Sequence, residues 1–67
     1  MSEILEFKVF CFEAYRNEKK LSGRETMAIF KKYNVLDYLG TCYNVLHTTS
    51  RNYIIEDIDI FINARKS

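Results

Sequence analysis

Proline and tryptophan are absent from this chain, and glycine and cysteine occur only twice each among its 67 residues. Hairpin-rich and sandwich folds use many tight turns that depend on proline and glycine, so their scarcity favours a few helices with short connections. Two cysteines in a short chain without an export signal predict reduced thiols rather than a disulfide framework. A membrane-spanning helix needs about 18 consecutive apolar residues, and no stretch of this sequence comes close to that length. We therefore expect a cytoplasmic protein that makes no membrane contact.

A strong charge of either sign is also missing, because the formal net charge at pH 7 is only +1. Such a chain has no general attraction for nucleic acid or anionic lipid, and a claim of that kind needs a local patch. Hydrophobic residues are abundant at 48%, and they include five Phe and five Tyr. That content can supply a core close to the lower size limit of an independent domain. We expect one domain over residues 1–67.

The first helix is predicted over residues 3–19. Ser2 can cap it, and Glu3 and Glu6 lie in its opening turns, where negative charge suits the helix dipole. A β-strand is the competing interpretation, since apolar and polar residues alternate over positions 5–9, but phenylalanines at 10 and 12 break the alternation. One broad side of the helix is apolar at Ile4, Phe7, Phe10, Cys11, Ala14 and Tyr15, and a second side is apolar at Leu5, Val9 and Phe12. A helix with two apolar sides must be buried on both.

Two further helices are predicted in the middle of the chain. Ser22 and Glu25 have the spacing of a capping box, so the second helix should begin at Gly23. Its inward stripe is read as Thr26, Ile29, Phe30 and Tyr33, widened by Met27. Asn34 can adopt the left-handed conformation that ends a helix. The third helix is expected from residue 36 or 37 to Leu46, with Gly40 inside it marking a close helix crossing.

The last part of the chain is ambiguous between strand and helix. Residues 53–55 are good strand formers and could pair with residues near 46–48, so residues 46–55 are read as a short β-hairpin or a loop. A final helix should follow from Glu56 to about Ala64, burying Ile55, Ile58, Phe61 and Ile62. The predicted fold class is all-α, a compact bundle of about four helices.

No residue pattern in the chain indicates catalysis or a cofactor. Cys11, Cys42 and His47 are the only soft metal ligands apart from the two methionines. Cys42 and His47 are five residues apart, which on a helix turns their side chains about 140° away from each other. We therefore expect no metal site, no catalytic residue and no cofactor, and we expect the protein not to be an enzyme.

A winged helix-turn-helix that binds DNA is the alternative hypothesis. Residues 16–32 hold six basic and two acidic side chains. In this interpretation Lys31 and Lys32 contact DNA, and Arg51 lies at the tip of a hairpin wing. The candidate recognition helix after Asp37 has no Lys or Arg, however, so it lacks the phosphate contacts that dominate DNA affinity.

The apolar surplus of the first helix favours protein binding instead. Leu5, Val9 and Phe12, together with Ile60 of the last helix, are predicted to form a partner-binding surface. The partner would be a second copy of the chain or the product of a neighbouring gene, and a homo-oligomer is expected.

Several phrases of the sequence resemble a known family. They are FCFEAY at residues 10–15, LSG at 21–23, FKKY at 30–33, VLDYL at 35–39, LHT at 46–48 and YIIEDI at 53–58. In this order and spacing they are similar to the bacterial domain of unknown function 3791 family. The resemblance implies a gene context beside proteins that look like ADP-ribosyltransferases, and so a small companion, antitoxin-like or immunity-like, of such an effector.

Overall fold

A computed structural model describes residues 2–66 of the chain, and within them it contains helices and connecting turns but no strand. The helices are α1 (Glu3–Lys19), α2 (Gly23–Lys32), α3 (Val35–Thr41), α4 (Tyr43–Leu46) and α5 (Arg51–Arg65). The all-α class is confirmed, with five helices in place of about four. No helix within residues 2–66 combines the length and the apolar character needed to cross a lipid bilayer.

The first helix has the predicted bounds because local signals define both of its ends. The Ser2 hydroxyl accepts hydrogen bonds from the amides of Ile4 and Leu5 at 3.1 and 3.4 Å, so the predicted cap is confirmed. At the other end Lys20 adopts a left-handed conformation with φ of 56°, and its amide bonds the carbonyls of the last turn.

The capping box of the second helix is also confirmed. The Glu25 amide donates to the Ser22 hydroxyl at 3.0 Å, and the Ser22 amide donates to the Glu25 carboxylate at 2.9 Å. Asn34 has a φ of 56°, which is the left-handed conformation predicted for it. Of the inward stripe, Thr26 and Phe30 are buried and Ile29 and Tyr33 are partly buried, whereas Met27 stays 36% exposed.

The predicted third helix is divided in two. Cys42 leaves the helical region with φ of −97° and ψ of 13°, although its amide still bonds the carbonyl of Tyr38 at 2.9 Å. The chain therefore changes direction at Cys42 without losing that hydrogen bond. One turn of helix, α4, then brings Leu46 into the core, where it is 3% exposed.

The hairpin interpretation of residues 46–55 is wrong, because α5 begins at Arg51. The Ser50 hydroxyl caps α5 by accepting from the Tyr53 amide at 3.2 Å. Ile54, Ile58 and Ile62 are spaced four residues apart, and each is at most 4% exposed. Burial of this helical stripe outweighs the strand preference of the Tyr-Ile-Ile run, since β propensity depends strongly on context.

The core lies where α1 crosses the other helices. Its buried hydrophobic residues are Phe7, Cys11, Ala14, Tyr15, Phe30, Val35, Leu39, Leu46, Ile54, Ile55, Ile58 and Ile62. Thr26 is fully buried with them, and its hydroxyl donates to the Ser22 carbonyl at 2.9 Å. The side of α1 that faces away from this core is the feature of interest for function.

Candidate docking surface on the first helix

The two apolar sides of α1 have different environments. Phe7, Cys11, Ala14 and Tyr15 from the first side belong to the core. Ile4 and Phe10 were expected with them but are 40% and 47% exposed. From the second side, Leu5 is 50% and Val9 is 56% exposed, and Phe12 is partly buried. One small domain thus leaves much of the second side in contact with solvent.

The second side of α1 forms one wall of an open apolar groove. The groove has a volume of about 270 Å³ and is lined by Leu5, Lys8, Val9, Phe12, Met27 and Leu36. Leu5, Val9 and Phe12 were predicted as binding residues, and the structure brings all three together. Met27 of α2 and Leu36 of α3 complete the groove. We refer to these six residues as the α1 groove.

Lys8 is the one charged residue among those that line the groove. Its Cε and Nζ atoms are 3.1 and 3.2 Å from the position that a Cβ on Gly40 would occupy. Gly40 therefore leaves space for the end of the Lys8 side chain. This neighbour is a flexible side chain, whereas we expected the backbone of another helix. The ammonium lies over the last turn of α3, which has no basic residue of its own and where positive charge is favourable.

Phe12 has a structural role as well as a place in the groove. Its ring packs edge-on against the buried ring of Phe30, with centroids 5.5 Å apart and an interplanar angle of 85°. Leu5 and Val9 are more exposed than the partly buried residues that support the core. Substitutions at Leu5 and Val9 therefore probe the surface, whereas those at Phe12 also probe stability.

Ile60 is not part of this surface. It is 68% exposed on α5, and the groove is lined only by residues of α1, α2 and α3. Tyr53 is also exposed on α5, at 52%, two turns before Ile60. Of the four predicted binding residues, three therefore line the groove and Ile60 does not.

The residues of the DNA-binding hypothesis lie on two different helices, α2 and α5. Lys31 and Lys32 are exposed at the end of α2, and the Lys32 ammonium lies 5.4 Å from the ring centroid of Tyr33. Arg51 starts α5, where its guanidinium bonds the Glu18 carboxylate and the Ala14 carbonyl, both at 3.2 Å. The wing that was to carry Arg51 is absent, because the segment is helical.

The candidate metal ligands Cys11, Cys42 and His47 have different surroundings. Cys11 is fully buried in the core, and burial raises the pKa of its thiol to about 12. Cys42 is half-buried at the α3–α4 junction, and both thiols are free. The His47 ring stacks on Tyr43 with centroids 4.4 Å apart. Within residues 2–66, no three His, Cys, Asp or Glu side chains come close enough to hold a metal ion.

Sequence reasoning missed three residues of the groove. Lys8 was counted among the polar residues of positions 5–9, Met27 was placed on the inward stripe of the second helix, and Leu36 was a possible first residue of the third helix. The periodicity of each helix could not assign them to a shared surface, because the groove depends on the angle at which α1 crosses α2 and α3. Gly40 was interpreted as a close helix crossing, so it did not indicate the place of the Lys8 side chain either.

The sequence profile of the family described as Protein of unknown function (DUF3791) matches residues 6–65. The chain belongs to the DUF3791 family. The match covers α2, α3, α4 and α5 entirely and all of α1 except its first three residues, so the DUF3791 profile spans the helices that form the groove. No curated protein and no solved structure matches the chain significantly.

Proposed function

We propose that this DUF3791 protein is a non-enzymatic interaction module that binds another polypeptide through the α1 groove. The observation that supports this is the exposure of Leu5 and Val9, at 50% and 56%, beside Met27 in a groove whose walls are apolar. Contiguous apolar surface on a small domain is typical of a contact with another protein. The proposal includes the biological role implied by the family resemblance, a cytoplasmic companion of an ADP-ribosyltransferase-like effector.

The size of the groove fits the insertion of a few side chains from a helix. Burying the exposed half of Leu5 or Val9 would contribute about 1 kcal/mol each. Association costs at least about 4 kcal/mol in lost freedom of motion, so the partner must add apolar contacts of its own around these residues. A helix with anchors at i, i+3 and i+4 can supply such contacts.

The proposal is tested by substituting Val9. The chain is co-expressed with the product of the adjacent gene, purified through a tag on the chain, and sized by chromatography with light scattering. Val9→Asp places a charge in the apolar groove, and we expect at least a tenfold loss of affinity, which corresponds to about 1.4 kcal/mol or more. The circular dichroism of the variant should remain helical, because Val9 lies outside the core.

Val45→Asp is the matched control. Val45 is 68% exposed and does not line the groove, so this variant introduces the same charge on a different face. We expect its complex to have the same size and affinity as the unsubstituted chain. If Val9→Asp binds as well as Val45→Asp does, the groove is not the docking surface and the proposal is wrong.

A further inference from the structure

The exposed apolar residues of α1 have the spacing of a coiled-coil seam. Leu5, Val9 and Phe12 are separated by four and then three residues, which places them at heptad positions d, a and d. Leu5 and Val9 are the half-exposed members, and Phe12 is the partly buried one. The seam ends at Arg16, which occupies the next a position. Its Nη2 atom forms an ion pair with Glu13 Oε1 at 3.0 Å.

Opposite charges flank this seam. Lys8 occupies the g position on one flank, and Glu13 occupies the e position on the other flank. In a parallel pair of helices, a g residue meets the e residue of the partner that lies five positions further along the sequence. Glu13 follows Lys8 by five positions, so the two residues satisfy this requirement. In an antiparallel pair the like flanks meet, which would place Lys8 of one copy near Lys8 of the other.

The side chains of Lys8 and Glu13 can each form a further ion pair. Lys8 makes no ion pair in the part of the chain that the structure describes, residues 2–66, and it holds its ammonium over Gly40 by a flexible stem. Glu13 is exposed, and Arg16 donates to both of its carboxylate oxygens, from Nε at 3.2 Å and from Nη2 at 3.0 Å, which lowers the pKa of the carboxyl. A carboxylate that accepts from one arginine still has free lone pairs.

We propose that a second copy of this chain docks on the α1 groove, with the two α1 helices parallel and Lys8 of each copy facing Glu13 of the other. The inference rests on the proposed function, because it uses the same surface. Charge complementarity of the flanks selects the second copy, and two-fold symmetry makes the contact between Lys8 and Glu13 occur twice. In this arrangement α3 lies beside Lys8 on one flank of α1, and the two-fold symmetry places the partner's α3 on the opposite side.

Charge reversal tests the pairing. Sedimentation equilibrium on the full chain, from about 10 µM to about 1 mM, would compare the unsubstituted protein with Lys8→Glu, Glu13→Lys and the double variant. Each single reversal should weaken the dimer about tenfold, because two symmetric contacts become repulsive. The double variant should return to within about threefold of the original dissociation constant, since both pairs are re-formed with exchanged charges.

A crosslink tests the orientation. Leu5→Cys on a Cys42→Ser background should form a disulfide between copies under mild oxidation, because d residues face each other in a parallel pair. In an antiparallel pair centred on Val9, the two Leu5 positions lie on opposite sides of the centre and should not crosslink. Thermal unfolding of each variant shows whether the monomer is intact. If Lys8→Glu fails to fold, Lys8→Gln takes its place and should weaken the dimer by less than about tenfold, because it removes the attraction without adding repulsion.

The outcomes separate this inference from the proposed function. A chain that remains monomeric up to about 1 mM, or single reversals that the double variant does not rescue, would overturn the parallel dimer. If a complex with the neighbouring gene product still depends on Val9 in that case, the groove remains the docking surface and its occupant is that protein. If neither a dimer nor such a complex depends on Val9, both ideas are wrong.

Discussion

The hydroxyl of Tyr15 on α1 donates a 2.9 Å hydrogen bond to a carboxylate oxygen of Asp59 on α5. Lys19 bonds the other oxygen of the same carboxylate at 2.6 Å. The Tyr15 ring is buried against Phe30, with centroids 5.6 Å apart. Burial first, and then the Asp59 carboxylate, raise the pKa of Tyr15 from 10.0 to about 12. This contact between α1 and α5 therefore depends on the proton of Tyr15, which the folded protein loses only at alkaline pH.

We predict that the protein loses stability as the pH rises from about 10 to about 12. In this window Tyr15 ionises in the unfolded chain but keeps its proton in the folded one, so the unfolded state binds fewer protons. Tyr15 contributes its full share to the free energy of unfolding below about pH 10. That share is lost as the pH rises to the pKa of the folded state, and the free energy falls by about 1.4 kcal/mol per pH unit. Urea unfolding at a series of pH values measures the slope.

Tyr15→Phe separates the tyrosine from other alkaline groups such as Cys11. The variant should be about 1 kcal/mol less stable at pH 7, because the hydrogen bond to Asp59 is lost. Its free energy of unfolding should then fall less steeply between about pH 10 and 12, since phenylalanine has no proton to lose. An unchanged slope in the variant would contradict the pKa shift of Tyr15.

A second prediction concerns the different roles of Phe12 and Leu5. Phe12→Ala should lower the free energy of unfolding by about 2 kcal/mol, because it removes the edge-on contact with Phe30. Leu5→Ala should change it by less than about 0.5 kcal/mol, since Leu5 is half exposed and lies outside the core. Chemical denaturation of both variants at a low protein concentration measures the monomer. Equal losses would mean that Leu5 supports the fold.

A third prediction gives the sign of a substitution at Gly40. The added Cβ would meet Lys8 Cε at 3.1 Å and Nζ at 3.2 Å, and both atoms lie at the free end of a flexible side chain. Alanine is a better helix former than glycine by about 1 kcal/mol. Gly40→Ala should therefore stabilise the protein by about 0.5 kcal/mol, which a thermal melt would detect. A lower melting temperature would show that the position of the Lys8 side chain matters more than helix propensity.

Local signals explain why some helices were predicted with their correct bounds. Ser2 and the Ser22–Glu25 pair act within one turn of the residues that carry them, so the starts of α1 and α2 can be read from the sequence. The same signal was present at Ser50, but the run of β-branched residues after Tyr53 was given more weight. The spacing of Ile54, Ile58 and Ile62 was the better guide, because it matches the helix period.

The candidate site was predictable only in part. The excess of apolar residues on α1 indicated Leu5, Val9 and Phe12, which do lie together. Ile60 was grouped with them but does not line the groove, because a helix wheel gives an outward direction and not the neighbouring helices that share a surface. The contributions of Met27 and Leu36 depend on interhelical angles, which arise from packing between segments distant in the sequence.

The last prediction uses the two cysteines as reporters of the core. Cys42 is half-buried, whereas Cys11 is fully buried with a pKa raised to about 12, so little reactive thiolate forms at Cys11. In the native protein at neutral pH, a disulfide reagent should label one thiol per chain at least about a hundredfold faster than the other. Cys42→Ser should remove the fast phase and leave a slow phase that denaturant accelerates. If Cys11→Ser removed the fast phase instead, the α1 face that packs on the core would be open in solution, and the groove could not have the geometry described.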